Sequence, residues 1–205
     1  MAMSDPFRLI LASGSQARKD MLTGARLTFD VIPAKIDEDA ITSLMISESD
    51  CVEAADIAGV LSAEKALSVS RANPGALVIG SDQVLTVGRR LFSKAATLED
   101  ARETLDILRG RTHELVSSVS LATGEHVLWQ SFDHAQLTMR SFSDEFLACY
   151  LDRAGSRILN SVGCYEIEGP GVQLFERIEG GYFTILGMPL LPLLTELRSR
   201  GVILT

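Results

Sequence analysis

The sequence predicts an α/β protein with a mixed central sheet flanked by helices, and three observations carry that reading. Two short aliphatic runs, Leu9-Ile10-Leu11-Ala12 and Ala76-Leu77-Val78-Ile79-Gly80, have the length and composition of buried strands. A long helical pattern over 51–70 separates them, with Ala54, Ala55, Ile57, Ala58, Leu61, Ala66 and Leu67 apolar. Beyond Thr112 the period changes, and 113–121 and 127–138 alternate as two long antiparallel strands around Thr123-Gly124-Glu125. The order is α/β first and antiparallel later. No internal repeat, linker or low-complexity tract interrupts it, so residues 1–205 read as a single domain.

The chain is organised around residues 7–25, FRLILASGSQARKDMLTGA. The strand expected at Leu9 breaks into Ser13-Gly14-Ser15, small residues that let backbone approach a ligand closely. Ser15 reads as the N-cap of a helix, with Arg18 and Lys19 in its first turn and Met21 and Leu22 facing inward. Free N–H groups and the positive end of the helix dipole make such a junction an anion site, most often for phosphate. Cations are unfavourable at a helix N-terminus, so Arg18 and Lys19 there also want an anion.

The remaining elements follow in order. Phe29-Asp30-Val31-Ile32 reads as a strand ending at Pro33, and Lys35-Ile36-Asp37-Glu38-Asp39 as an acidic loop. Asn73-Pro74-Gly75 is a turn. The strand over 76–80 is expected to end in Ser81-Asp82-Gln83 and to resume at Val84. That puts Asp82 at a strand end, where α/β proteins place ligand chemistry. Gly88-Arg89-Arg90 turns, Thr97 caps a helix running to Leu108, and Gly110 stops it. Ser143 caps another over 144–153. The segment Gly163-Cys164-Tyr165-Glu166-Ile167-Glu168-Gly169-Pro170-Gly171 reads as strand and tight turns. Residues 172–175 and 182–186 look like a hairpin across Glu179-Gly180-Gly181, and Gly187-Met188-Pro189 opens the last helix.

Composition narrows the function classes. A hydrophobic content of 46% with 22% charged residues is ordinary for a soluble α/β protein. The net charge of −8 argues against a general nucleic-acid or anionic-membrane binder, so any polyanionic ligand must be met by a local basic cluster or through a metal. Cys51, Cys149 and Cys164 lie far apart without CxxC spacing, which suits a reducing compartment; His113, His126 and His134 lack zinc-type spacing. No apolar run near the N-terminus has signal-peptide length, and none reaches membrane-spanning length. The expectation is a cytoplasmic protein.

Eight stretches in order, LILASGSQARKDML, IDED, LSAEKA, VIGSDQV, FSKA, LRGRTHE, GCYEIEGPG and ILGMPL, resemble the Maf family of nucleoside triphosphate pyrophosphatases. The resemblance covers nearly the whole chain. It implies an elongated central sheet, two lobes around a nucleotide cleft, and hydrolysis of a nucleoside triphosphate to monophosphate and pyrophosphate. It also implies dependence on a divalent metal and a homodimer. Gln16 and Ala17 stand where the family's commonest first motif has proline and its first arginine, while Arg18 keeps the second. The strand end GSDQ and Glu168, in place of a glutamine, look more like the branch acting on 7-methyl-GTP than the branch acting on dTTP and UTP. Glu166 replaces the lysine that the 7-methyl-GTP branch carries there.

Cleaving a phosphoanhydride asks for charge neutralisation, a metal site, and a carboxylate that orients or deprotonates water. Arg18, Lys65 and Lys94 are candidates for a positive cradle, completed by Ser13 and Ser15. Asp82 and Glu38 are oxygen donors suited to Mg²⁺ or Mn²⁺. Asp82 is the candidate to activate water, directly or as a metal ligand, with Glu38 assisting. Gln83 and Glu168 are candidate substrate contacts, because a carboxylate accepts hydrogen bonds from the N1–H and N2–H₂ edge of a guanine.

Each has a plain structural alternative: Asp82 a turn residue, Arg18 a surface charge, Glu38 part of a solvated acidic loop, Cys164 a small buried hydrophobe. Lys65 has Leu61 and Val69 one turn away and so no acidic partner on its own helix. A dTTP/UTP pyrophosphatase and a nucleotide-binding regulator of cell division without turnover are the alternative functions.

Overall fold

The computed structural model describes residues 8–49 and 51–204, so Phe7, the first residue of the organising stretch, lies outside the described residues. The described residues form seven strands: β1 (Leu9–Leu11), β2 (Asp30–Val31), β3 (Leu77–Val87), β4 (Arg90–Phe92), β5 (Thr112–Thr123), β6 (His126–Met139) and β7 (Phe175–Glu179). The helices are α1 (Gln16–Gly24), α2 (Glu38–Glu48), α3 (Ala54–Ser70), α4 (Leu98–Leu108), α5 (Asp144–Ala154), α6 (Tyr182–Ile185) and α7 (Leu190–Ser199). Two compact units share them. One gathers Met1–Gln83, Val116–Asp133 and Gly181–Thr205; the other takes Val84–Leu115 and His134–Gly180.

In the first unit the strand order is β2-β1-β3-β5-β6, and β1 pairs in parallel with both β2 and β3. The pleat sorts the residues of each strand onto two faces. Leu9 and Leu11 of β1, Leu77 and Ile79 of β3, and Val119 and Leu121 of β5 pack against Met21 and Leu22 of α1 and Leu190, Leu193 and Leu197 of α7. Ile10, Val78 and Ala122 pack on the opposite side against Ala66, Leu67 and Val69 of α3. Three layers result, and the runs read as aliphatic throughout are aliphatic because both their faces are covered.

The second unit is built on the later part of β3, to which β4 pairs antiparallel, and on the β6–β7 pair, also antiparallel, with Leu137 opposite Ile178. Helix α4 carries the expected cap: Thr97 Oγ1 accepts from Asp100 N–H, and Asp100 Oδ2 accepts from Thr97 N–H. Ser143 caps α5 through Phe146 N–H.

Several expected elements differ. The acidic loop becomes a helix N-terminus: Asp37 Oδ1 accepts from Ala40 N–H at 2.9 Å and Glu38 opens α2. Acids there answer the helix dipole, which outweighs the loop composition. The helix read over 51–70 starts at Ala54, and the strand read over 29–32 is only Asp30–Val31. β3 does not break at Ser81-Asp82-Gln83; it continues to Val87, because each polar side chain in that stretch finds an internal partner. The hairpin across 179–181 is absent. Residues 175–179 pair with β6 instead, and the stretch after the glycines is the short helix α6. Gly180 has φ +130° and a side chain there would strike Ala135 Cβ at 2.5 Å, so the chain turns in a conformation no side chain tolerates. The 163–171 segment is turns leading into a 3₁₀ helix at Pro170–Leu174, with no strand.

Burial governs the polar core of the second unit. His113 is 1% exposed, its Nε2 lies 2.7 Å from Tyr165 Oη, and Nδ1 has no partner. Tyr165 stands edge-on to Phe175 with centroids 4.8 Å apart. Desolvation pulls the imidazole down to about 4 from its ordinary 6.5. Cys164 is wholly buried and its thiol is pushed up to about 11, which fits a small hydrophobe and not a nucleophile.

A histidine held neutral in the fold supports stability above its unfolded value and loses that support as pH falls from 6.5 towards 4. The loss saturates at about 3 kcal/mol. Urea unfolding of wild type and His113→Gln between pH 7 and pH 4 will show the difference: the stability gap between the two proteins narrows across this window. A gap independent of pH would reject the assignment.

Candidate active site

The alternation that sorts the apolar residues of β3 also sorts its polar ones. Val78, Gly80 and Asp82 face α3, whereas Ile79, Ser81 and Gln83 face α1 and the α6–α7 segment. In β5, Ser118 and Ser120 face α3, and Ser117 faces the other way. The three-layer core therefore turns polar on both faces next to the C-terminal end of β1.

On the α3 face, Lys65 meets Asp82. Its Nζ lies 2.5 Å from Asp82 Oδ1 and 2.9 Å from Glu38 Oε2, so one ammonium is held between two carboxylates. The side chains of Lys65 and Asp82 are 11% and 8% exposed, whereas Glu38 is about half exposed at 51%. With Leu61 and Val69 one turn either side on its own helix, Lys65 takes its partners from β3 and from the start of α2. Burial raises Asp82 above the usual carboxylate range; the charges of Lys65 and Arg18 oppose that shift and Glu38 reinforces it. A carboxylate held up in this way keeps more affinity for a proton than a solvated one.

On the opposite face Arg18 is buried, pinned by three neutral oxygens. It donates through Nη1 to Ser81 O at 2.7 Å and Ser13 Oγ at 3.2 Å, and through Nε to Gly187 O at 2.9 Å. Desolvation lowers the guanidinium from its ordinary value, while the fields of Asp82 and Glu38 hold it up. Ser15 caps α1, its Oγ accepting from Arg18 N–H, and Ser13 Oγ also accepts from Ser15 N–H. The sequence-predicted junction thus forms with its cation turned inward, leaving the α1 N-terminus beside a buried positive charge.

The first unit brings together Ser13, Ser15 and Arg18 on one face, and Glu38, Lys65 and Asp82 on the other. Gln83 is committed to the fold: Nε2 reaches Ser117 Oγ, Thr184 O and Ile185 O, each at 3.0 Å. Lys94 and Glu168 belong to the second unit and are exposed. Sequence reasoning missed Ser81, whose Oγ lies within hydrogen-bond distance of both Ser118 O and Gly187 O, and missed Gly187, whose φ of +101° strains any side chain. Polar residues alternating inside a buried strand were the available signal.

A divalent cation fits this donor set in one manner. Among the described residues no group of three His, Cys, Asp or Glu forms a ready cage. Two carboxylates converging on one positive charge match the Mg²⁺ pattern, in which phosphate oxygens and waters complete the shell.

The sequence pattern of the family described as "Maf-like protein" matches residues 8–200, and the chain belongs to that family. A protein of Mesorhizobium japonicum named "7-methyl-GTP pyrophosphatase" is 47% identical over 196 residues, covering 96% of this chain and 98% of its own. A "Nucleoside triphosphate pyrophosphatase" of Granulibacter bethesdensis is 50% identical over 193 residues, covering 94% and 97%. Another protein of that name, from Caulobacter vibrioides, is 46% identical over 193 residues, covering 94% and 96%.

Removing one partner of a buried ion pair strands the other, at a cost of about 3 kcal/mol. Lys65→Met should lose about that much in urea unfolding at pH 7, and Lys65→Met/Asp82→Asn should recover most of it. Additive losses in the double variant would show that the two side chains do not form an energetic pair.

Proposed function

We propose that this chain hydrolyses a nucleoside triphosphate to nucleoside monophosphate and pyrophosphate, as a house-cleaning enzyme against modified or non-canonical nucleotides. The favoured substrate is of the 7-methyl-GTP type. The observation that carries the reading is the Lys65 ammonium between Asp82 and Glu38, with the buried Arg18 nearby, in a chain whose relatives are named for this activity. GSDQ at Gly80 to Gln83 and Glu168 support the 7-methyl-GTP branch, as does the relatives' naming.

Water attacks the α-phosphorus, the bond from it to the α–β bridging oxygen breaks, and pyrophosphate leaves with that oxygen. Asp82 activates the attacking water, directly by accepting its proton or as a metal ligand. Lys65 supplies positive charge to the phosphates while staying anchored by Glu38. Ser13, Ser15 and the free N–H groups of α1 receive phosphate oxygens, backed by Arg18. Glu38 and Asp82 would hold Mg²⁺ or Mn²⁺, which would neutralise charge on the leaving pyrophosphate. For Lys94 as a further phosphate cation, Gln83 as a substrate contact and Glu168 as the reader of the guanine edge, the support is the family resemblance. A homodimer rests on the same ground, and a cytoplasmic location rests on the three cysteines, far apart and without CxxC spacing. Among the described residues no helix is long and apolar enough to cross a membrane.

Pyrophosphate release measured with 7-methyl-GTP, GTP, dTTP, UTP, CTP and ITP should be strongest with 7-methyl-GTP and should stop with excess EDTA. Asp82→Asn should lose about 10²–10⁴-fold in kcat/KM. Preference for dTTP or UTP would sink the substrate assignment and leave the chemistry. Tight nucleotide binding with no release from any of them would make the chain a regulator. Sedimentation velocity should give twice the chain mass; a single-chain mass would remove the dimer.

A further inference from the structure

Gly80 is the one residue of β3 on the α3 face that precedes Asp82 without offering a side chain. A Cβ there would lie 2.1 Å from Ser62 O, 2.6 Å from Ala66 N and 2.9 Å from Ala66 Cβ. Ser62 O and Ala66 N are the two ends of one i→i+4 helical hydrogen bond, so the strand presses on the backbone of the helical turn that carries Lys65. Its φ lies outside the range that favours glycine, so close approach is the reason for glycine here.

A polar lock sits beside this contact. Ser62 Oγ lies 2.7 Å from Ser120 Oγ and 2.9 Å from Ser118 Oγ, all three residues being fully buried. Gln130 Nε2 reaches Ser120 Oγ at 2.8 Å, Ser62 Oγ at 3.2 Å and Gly59 O at 2.7 Å. The glycine sets how near α3 comes to the sheet; the hydroxyls set its position along the strands. Gly80 and Asp82 are two residues apart on one face, about 7 Å along the strand. Lys65 follows Ser62 and precedes Ala66 on the turn being pressed. The 2.5 Å pair of Lys65 and Asp82 thus lies beside the backbone contact at Gly80.

We propose that Gly80, with the Ser62 hydroxyl lock, is a positioning element of the active site: it places the Lys65 ammonium on Asp82 without touching substrate. This rests on the function proposed above. Any side chain at position 80 must drive α3 outward by about 1 Å or more, since non-bonded heavy atoms settle at 3.5–4.0 Å.

The test compares wild type, Gly80→Ala and Ser62→Ala by steady-state pyrophosphate release and by crystal structure. Gly80→Ala should lose about 100-fold in kcat with KM changed by no more than about threefold, because a displacement of that size damages chemistry more than binding. Its Nζ–Oδ1 distance should open beyond about 4 Å. Adding Ala66→Gly removes only the Cβ contact and should not restore kcat. Wild-type kcat in folded Gly80→Ala, an unchanged pair distance, or full rescue by Ala66→Gly would each overturn the proposal.

Should Gly80→Ala fail to fold, Ser62→Ala decides. A kcat lowered by about tenfold at preserved KM supports the positioning role, and wild-type kcat overturns it. If wild type releases no pyrophosphate from any nucleotide, the proposed function fails by itself. The pair distance in the variant crystals then still judges the positioning claim.

Discussion

A lysine ammonium taken out of water must be compensated within the protein, and much of the first unit is arranged to satisfy that demand at Lys65. Desolvating an ion costs several kcal/mol even after relaxation, and only close, well-oriented counter-charges offset it. Asp82 supplies one from the middle of β3 and Glu38 another from the first residue of α2. Arg18 presents the same problem on the other sheet face, solved with three neutral oxygens instead of a carboxylate. Two cations and two carboxylates balance formally. The balance is strained, since burial pushes Asp82 up and Arg18 down.

The pleat distributes this chemistry. One strand that reads aliphatic, then small and polar, delivers its odd residues to one helical layer and its even residues to the other. Ser81 and Gln83 hold the α6–α7 segment, while Gly80 and Asp82 engage α3. A slip of one residue in β3 would send Asp82 towards α1 and leave Lys65 without its buried partner. Register, apolar packing and charge pairing therefore enforce one another.

What could be read from the chain before its structure follows physical locality. The N-cap at Ser15, the capping box at Thr97 and Asp100, and the turn at Gly124 are decided within a few residues. The aliphatic runs of β1 and β3 are decided by double-sided burial, which leaves a compositional trace. Failures came where distant partners intervened. Ser81-Asp82-Gln83 looked like a strand end because polar residues in a strand core are costly alone, and only the chain's return through β5, α3 and α6 supplies their partners. The hairpin across Gly180 failed because β7 found β6 as a better neighbour.

The sequence by itself determined the fold class, the capped small-residue junction before α1, the family, and the residue types from which the candidate site is built. Residue type and local spacing carry those, and the order of eight motifs made them specific. Tertiary structure decided which groups meet: that Lys65 is held by both Glu38 and Asp82, that Arg18 turns inward onto Gly187, that Gln83 is committed to backbone carbonyls, and that Gly80 is empty so α3 can close on the sheet. These are distances between residues far apart in the chain, set by the pleat and by packing density, and no local pattern encodes them.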